Sequence, residues 1–200
     1  VFSSLPVVTA GQGTKRQKRI MLIKVKRYMA TKNLSLFDTP LPSAENMRFG
    51  IVVSEWNGQV TGALLAGALK TLREAGCPDY NITVKMVPGA FELSLGAQYF
   101  AEYTEVDAVI ALGCVIRGGT PHFDYVCQAA THGLNQVQIS WNMPVAFGVL
   151  TCDDEQQALD RSGGQLGNKG DEAAATAIRM ARLQQDMETA ADGQDRMKVS

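Results

Sequence analysis

Residues 113–124 read Gly-Cys-Val-Ile-Arg-Gly-Gly-Thr-Pro-His-Phe-Asp and follow the apolar run 108–112. The pattern is a strand that empties into a glycine turn and restarts as a helix. Thr120 is a good N-cap, and Pro121 suits the first helical position, where its missing N–H would have had no intrahelical partner. His122 then falls in the first helical turn, beside backbone N–H groups able to hold an anion. Gly118, Gly119 and Thr120 carry no bulk that would keep a phosphate away from those groups, although a plain strand–helix turn uses the same residues. An imidazole so placed can move protons while a phosphate is held, with Arg117 and Asp124 close enough to act on it. His132, the second of two histidines, lies mid-helix beside Gly133 and reads as structural. The chemistry is acid–base work next to a phosphorylated substrate.

Two other strand endings carry unusual residues: Ser54-Glu-Trp-Asn57 after the run 49–53, and Pro88-Gly-Ala-Phe-Glu92 after 82–86. Ligands of open parallel sheets bind outside the carboxyl ends of the strands, so three such loops converge on one edge. Trp56 offers a flat apolar face and one N–H donor, which suits stacking on a heteroaromatic ring. Taken alone, a tryptophan there more often packs at a helix junction. Glu92 opens a helix, where the dipole stabilises a carboxylate; as an acceptor it can also bind the hydroxyls of a sugar-like substrate. Arg161 and Lys169 bracket the glycine-rich stretch 163–170. Arg161 can grip a phosphate with two N–H groups, and solvated surface cations are the plainer alternative. Asp153-Asp154-Glu155 opens a helix, where acids are expected, and receives no metal-ligand role. The chain has no G-x-x-x-x-G-K-[ST] motif for a nucleoside triphosphate.

The elements that must position these residues are regular from Phe49 onward. Strands are expected at 49–53, 82–86, 107–112 and 144–150, the short apolar runs of strands buried on both faces. Val60, Leu64, Leu65, Leu69 and Leu72 recur at helical spacing until Gly76. Further helices are expected at about 91–102, 120–138, from an Asp153 cap through 158, and 171–183. The order βαβαβαβαα implies a parallel four-stranded sheet with helices on both faces and right-handed crossovers, a three-layer α/β/α fold of flavodoxin-like build. The domain reading is an arm over 1–47, a single catalytic α/β domain over 48–184 and a flexible tail over 185–200. Within the arm, Lys15-Arg-Gln-Lys-Arg19 and Lys24-Val-Lys-Arg27 flank a short apolar stretch, and Met29-Ala-Thr-Lys looks like a start site. Residues 1–28 are therefore either an upstream extension of the reading frame or a native, targeting-like segment.

Composition removes several classes. Residues 1–40 hold eight Lys and Arg against one acid, whereas 41–200 hold eleven against nineteen; an acidic body disfavours nucleic acid as a partner. No run reaches the roughly 18 apolar residues of a membrane span. Cys77, Cys114, Cys127 and Cys152 show no C-x-x-C spacing and read as reduced thiols of a cytoplasmic protein.

The Gly-Cys-Val-Ile-Arg-Gly-Gly-Thr-Pro-His run, Val87-Pro-Gly-Ala-Phe-Glu92 upstream and Gly167-Asn-Lys-Gly170 downstream together resemble the lumazine synthase family of riboflavin biosynthesis. Those transferases condense 5-amino-6-(D-ribitylamino)uracil with 3,4-dihydroxy-2-butanone 4-phosphate, release phosphate and water, and form 6,7-dimethyl-8-ribityllumazine without metal or organic cofactor. The resemblance implies that Trp56 stacks on the pyrimidine. It implies that Ala90, Phe91, Glu92, Cys114, Val115 and Ile116 hold the uracil and ribityl chain, and that Phe147 lines the pocket. Gly119, Thr120 and Arg161 match the phosphate site, His122 the proton-transfer residue, and Asn57 and Lys169 supporting positions. Gln165 stands where many relatives carry lysine. Members are homopentamers, some building twelve pentamers into a hollow sixty-subunit shell, with riboflavin synthase as a partner. The resemblance also implies a pocket between subunits, with Trp56, Glu92 and His122 from one chain and Phe147 and Arg161 from the next. A flavin- or lumazine-binding module, or a shell with a structural role, would share the fold; turnover of the two substrates separates the enzyme from both.

Overall fold

The apolar runs pair into one parallel sheet of β1 (Phe49–Ser54), β2 (Ile82–Val87), β3 (Ala108–Ile116) and β4 (Val145–Cys152), in the order β2-β1-β3-β4. Phe49 lies opposite Ile82 on one side and Ala108 on the other, and Val109 opposite Val145. This computed structural model describes residues 40–198, with side chains to 191. The basic segments and the Met29 start site of the arm lie outside the described residues. Every residue of β1 is buried, whereas β2, at the sheet's edge, has only partly buried and exposed residues. Central parallel strands are covered on both faces, which is why their sequences show no polar alternation.

Parallel neighbours need crossovers, and the helices supply them. α1 (Gly58–Glu74) joins β1 to β2, α2 (Leu93–Tyr103) joins β2 to β3, and α3 (His122–Trp141) joins β3 to β4. α4 (Glu155–Asp160) and α5 (Lys169–Lys198) follow. One core lies between the sheet face of Phe49, Ile51, Ile110 and Leu112 and the helices α1 and α5, through Leu64, Leu72, Ala174 and Ile178. The other sets Val52, Val109 and Ala111 against Leu93 and Phe100 of α2 and Leu134 of α3. Each large side chain buried in these layers contributes roughly 1.5–3 kcal/mol. The expected three-layer α/β/α fold is the observed one.

Several local differences have physical causes. Residues 40–47, expected as the end of a loose arm, deliver Ala44 and Met47 to the first core, and Ala44 N–H bonds the Ala75 carbonyl at 2.8 Å. The cap of α4 is Asp154, whose carboxylate accepts the Gln157 N–H at 2.9 Å; Asp153 is instead drawn to the Arg117 guanidinium. The glycine-rich stretch forms a small antiparallel hairpin of β5 (Ser162–Gly164) and β6 (Gly167–Asn168), too short to leave an apolar pattern. α5 continues past Leu183 as helix to Lys198, supported by i,i+4 pairs such as Arg182 with Asp186 at 3.0 Å, although its side chains over 186–191 are exposed. Among the described residues no helix is long and apolar enough to cross a membrane.

Candidate active site

The chain leaves β1 for β2 on one side and later returns to β3 on the other. The switch point of the sheet is therefore between β1 and β3, where a crevice opens at the carboxyl ends. A cavity of about 320 Å³ lies there, within the range of small-molecule sites. Its walls are Trp56 and Asn57 after β1, Gly89 to Glu92 after β2, Cys114 to Ile116 at the end of β3, and His122 and Val126 of α3.

Each wall has a local reason for its shape. Asn57 takes a left-handed conformation (φ 60°, ψ 45°), which Asn tolerates better than most residues, and so turns the chain from β1 into α1. Its Nδ2 donates to the Cys114 carbonyl at 3.0 Å and ties this turn to β3. Trp56 N–H donates to the Pro88 carbonyl at 3.3 Å, and the indole flanks Gly89. The indole is 69% exposed and faces the cavity instead of filling a helix junction. Glu92 closes a single 3-10 turn, Ala90–Glu92, just ahead of α2, and its Oε2 accepts the Gly89 N–H at 3.0 Å. Phe91 points outward, whereas Ala90 is buried.

At the end of β3 the Arg117 guanidinium ties three elements together. Nε meets Asp153 at 2.9 Å, Nη1 meets Asp124 at 3.2 Å, and the group lies 4.0 Å above the Phe123 ring. Asp124 is thereby engaged with Arg117. Gly118, Gly119 and Thr120 form an exposed turn leading to His122. α3 starts at His122, with Pro121 already at helical φ (−62°), and the Thr120 hydroxyl accepts the His122 N–H at a long 3.4 Å. The expected cap is thus looser than the sequence implies, and the turn residues are exposed. Cys114 is a neutral wall. Burial, with Cys152 nearby, pushes its thiol up to about 12. All four cysteines are free thiols.

Five of the expected residues are not part of the cavity wall: Gly119 and Thr120, in the exposed turn ahead of α3, and three that lie elsewhere in the fold. Phe147 is on β4, and Arg161 and Lys169 belong to the hairpin segment; none of the three lines the cavity. Arg161 Nη1 donates to the Leu166 carbonyl at 2.6 Å and Nη2 meets Glu172 at 2.7 Å. Lys169 Nζ reaches the other oxygen of Glu172 at 2.9 Å. The hairpin itself is docked on α1. Asn168 Nδ2 donates to the Ala63 carbonyl at 2.9 Å while its Oδ1 accepts the Gly170 N–H at 2.8 Å. A Cβ on Gly170 would overlap the Leu64 carbonyl, so Gly-Asn-Lys-Gly is the contact surface between two backbones.

Sequence reasoning missed Gly89 and Val126 as cavity walls, and Glu172 and Asp153 as anchors of cationic side chains. Val126 follows His122 by four residues, hence the same helix face, and Glu172 follows Lys169 by three; helical spacing alone would have flagged both. Among the described residues no group of three or more His, Cys, Asp or Glu is placed to hold a metal ion. The cavity therefore combines an apolar shelf, a carboxylate and an imidazole, and the exposed Gly118–Thr120 turn leads into the imidazole's helix. That set can bind a flat polar ring and move protons.

The known proteins that this chain is similar to agree with that chemistry. The family model described as 6,7-dimethyl-8-ribityllumazine synthase matches residues 46–185, which include every expected site residue. A 6,7-dimethyl-8-ribityllumazine synthase of Phocaeicola vulgatus is 53% identical over 160 residues, 80% of this chain and 95% of the relative. Its counterpart in Parabacteroides distasonis is 54% identical over 155 residues, 77% of this chain and 97% of that protein. The one in Bacteroides fragilis is 56% identical over 134 residues, 67% and 94% of the two chains. Fold, cavity and these likenesses converge: the chain belongs to the 6,7-dimethyl-8-ribityllumazine synthase family, the transferases that form this lumazine in riboflavin biosynthesis.

Proposed function

We propose that the cavity is one half of a site shared between neighbouring copies, in which 5-amino-6-(D-ribitylamino)uracil condenses with 3,4-dihydroxy-2-butanone 4-phosphate. The observation that carries this is a separation: the stacking, carboxylate and imidazole groups line one cavity, while Arg161 of the expected phosphate site and the supporting Lys169 lie outside it. A second copy bringing its hairpin and Phe147 to this cavity would complete the set. A ring built from such heterologous contacts is a homopentamer in the family reading, with the sixty-subunit shell as its further assembly.

In this reading Trp56 stacks on the pyrimidine, and Ala90, Phe91 and Glu92 with Cys114, Val115 and Ile116 hold the uracil edge and ribityl hydroxyls. The Gly119 and Thr120 N–H groups and the neighbour's Arg161 hold the phosphate, with Lys169 in support. Amine attack on the ketone, loss of water, loss of phosphate and ring closure each relocate a proton. His122 stands between the turn and the ring and shuttles those protons. Holding two reactants at once supplies much of the acceleration. Riboflavin synthase, which consumes the product, is the partner this role implies. Four free thiols fit a reducing, cytoplasmic setting.

Mixing two inactive variants tests the shared site. His122→Ala and Arg161→Ala, each nearly inactive alone, are refolded together at equal amounts. In a randomly assembled ring about a quarter of the sites draw both intact residues from different chains, so activity should rise toward that fraction of wild type. Mixed oligomers showing only the summed residual activities would place both residues in one chain's site and reject the sharing.

A further inference from the structure

Arg161 and Lys169 converge on one acid. Glu172 uses one carboxylate oxygen for Arg161 Nη2 (2.7 Å) and the other for Lys169 Nζ (2.9 Å). The Glu172 and Arg161 side chains are only 13% and 16% exposed, so this is a largely enclosed cluster and not a solvated surface pair. Arg161 is also fixed through the Leu166 carbonyl, and its own carbonyl accepts the Lys169 N–H at 2.8 Å. Glu172 ionises readily despite its setting: burial opposes the charge, but Lys169 and Arg161 outweigh it and hold its carboxyl below the ordinary range. A carboxylate placed on the cations of an anion site is electrostatically adverse to the anion, because it competes for the same donors. Two adjacent cations without it would repel and splay.

We propose that Glu172 is a positioning residue of the phosphate site, which holds Arg161 and Lys169 in register and limits their affinity for phosphate so that the inorganic product leaves. This rests on the reading that Arg161 serves the phosphate. With Glu172 ionised the cluster carries two positive charges and one negative; with a neutral isostere the negative charge is gone. The geometry and the charge of Glu172 therefore act on phosphate binding in opposite directions. Shortening the side chain misplaces the cations, which weakens phosphate and lowers turnover, whereas neutralising it tightens phosphate.

The test uses the full chain and inorganic phosphate as inhibitor against the phosphate-bearing substrate. Glu172→Gln should lower the phosphate inhibition constant roughly three- to tenfold, the scale of one removed charge at a partly screened site. Glu172→Asp, which keeps the charge and shortens the reach, should raise that constant while kcat/KM falls roughly tenfold, as expected for misplaced binding groups. Melting curves confirm that each variant is folded. An unchanged or larger inhibition constant in folded Glu172→Gln overturns the charge role, and wild-type kcat/KM in Glu172→Asp overturns the positioning role. Arg161→Ala separates the layers. If it leaves phosphate inhibition unchanged, the phosphate reading falls and this proposal with it; if it weakens inhibition while Glu172→Gln does not tighten it, only Glu172's role is lost.

Discussion

The strand-end cavity and the hairpin segment solve opposite problems. Around the cavity Trp56 and His122 are exposed and Glu92 is half-buried, and they are held mainly through backbone: Trp56 by its N–H on Pro88, Glu92 by the Gly89 N–H, His122 by a loose turn. In the hairpin Arg161 is enclosed and Lys169 half-buried, both satisfied, Arg161 by Glu172 and Leu166 and Lys169 by Glu172, on a backbone pressed against α1. One region leaves the Trp56 ring and the His122 imidazole open; the other holds its cations on their own counter-charge. Groups that meet a neutral ring gain from open, apolar walls, whereas cations that meet a dianion must be kept apart and in place until it arrives.

The sharpest break of this comparison is at His122. His122→Ala should lower kcat roughly ten- to thousandfold, the scale of lost acid–base catalysis, while affinity for a product analogue changes little. Near wild-type turnover in the folded variant would remove the imidazole from the mechanism. Next comes Asn57, which joins β1 to β3 beneath the cavity. Asn57→Ala loses the bond to the Cys114 carbonyl and strains a left-handed residue, for about 2 kcal/mol of stability in urea titrations. Asn57→Gly, which accepts that backbone geometry, should recover about half of it. Equal losses in the two variants would show that backbone strain contributes nothing.

Trp56→Ala should weaken binding of a product analogue by about 1 kcal/mol, roughly fivefold, and Trp56→Phe should restore most of it. Unchanged affinity would assign the indole no ligand. The smallest effect concerns the hairpin's counter-charge. Because the folded carboxyl of Glu172 is held below its unfolded value, its stabilisation is present above the unfolded pKa and lost as pH falls through the folded one. The Tm difference between wild type and Glu172→Gln should therefore be largest near neutrality and shrink below about pH 4. A difference that stays constant down to about pH 3 would mean that packing, not charge, makes Glu172 stabilising.

The sheet was legible because buried parallel strands must be apolar on both faces, and 49–53 and 107–112 have no other use for such runs. The cavity half was legible too, since strand-end residues of an α/β sheet share an edge once the order of elements is known. Asp154 as the cap was not, because Asp153 and Asp154 offer the same oxygen, and a guanidinium many residues away decides between them. The hairpin was hidden since two backbones, not side-chain periodicity, make its contact.

Sequence by itself determined the layers and the edge on which the cavity opens, since these follow from hydrophobic period and from element order. Tertiary structure alone decided that Arg161, Lys169 and Phe147 stay outside the cavity, that both cations answer to Glu172, and that Arg117 binds the turn to α3 and to Asp153. The physical reason is range. Period and capping act within a few residues, whereas an ion pair forms wherever folding brings a guanidinium within about 4 Å of a carboxylate.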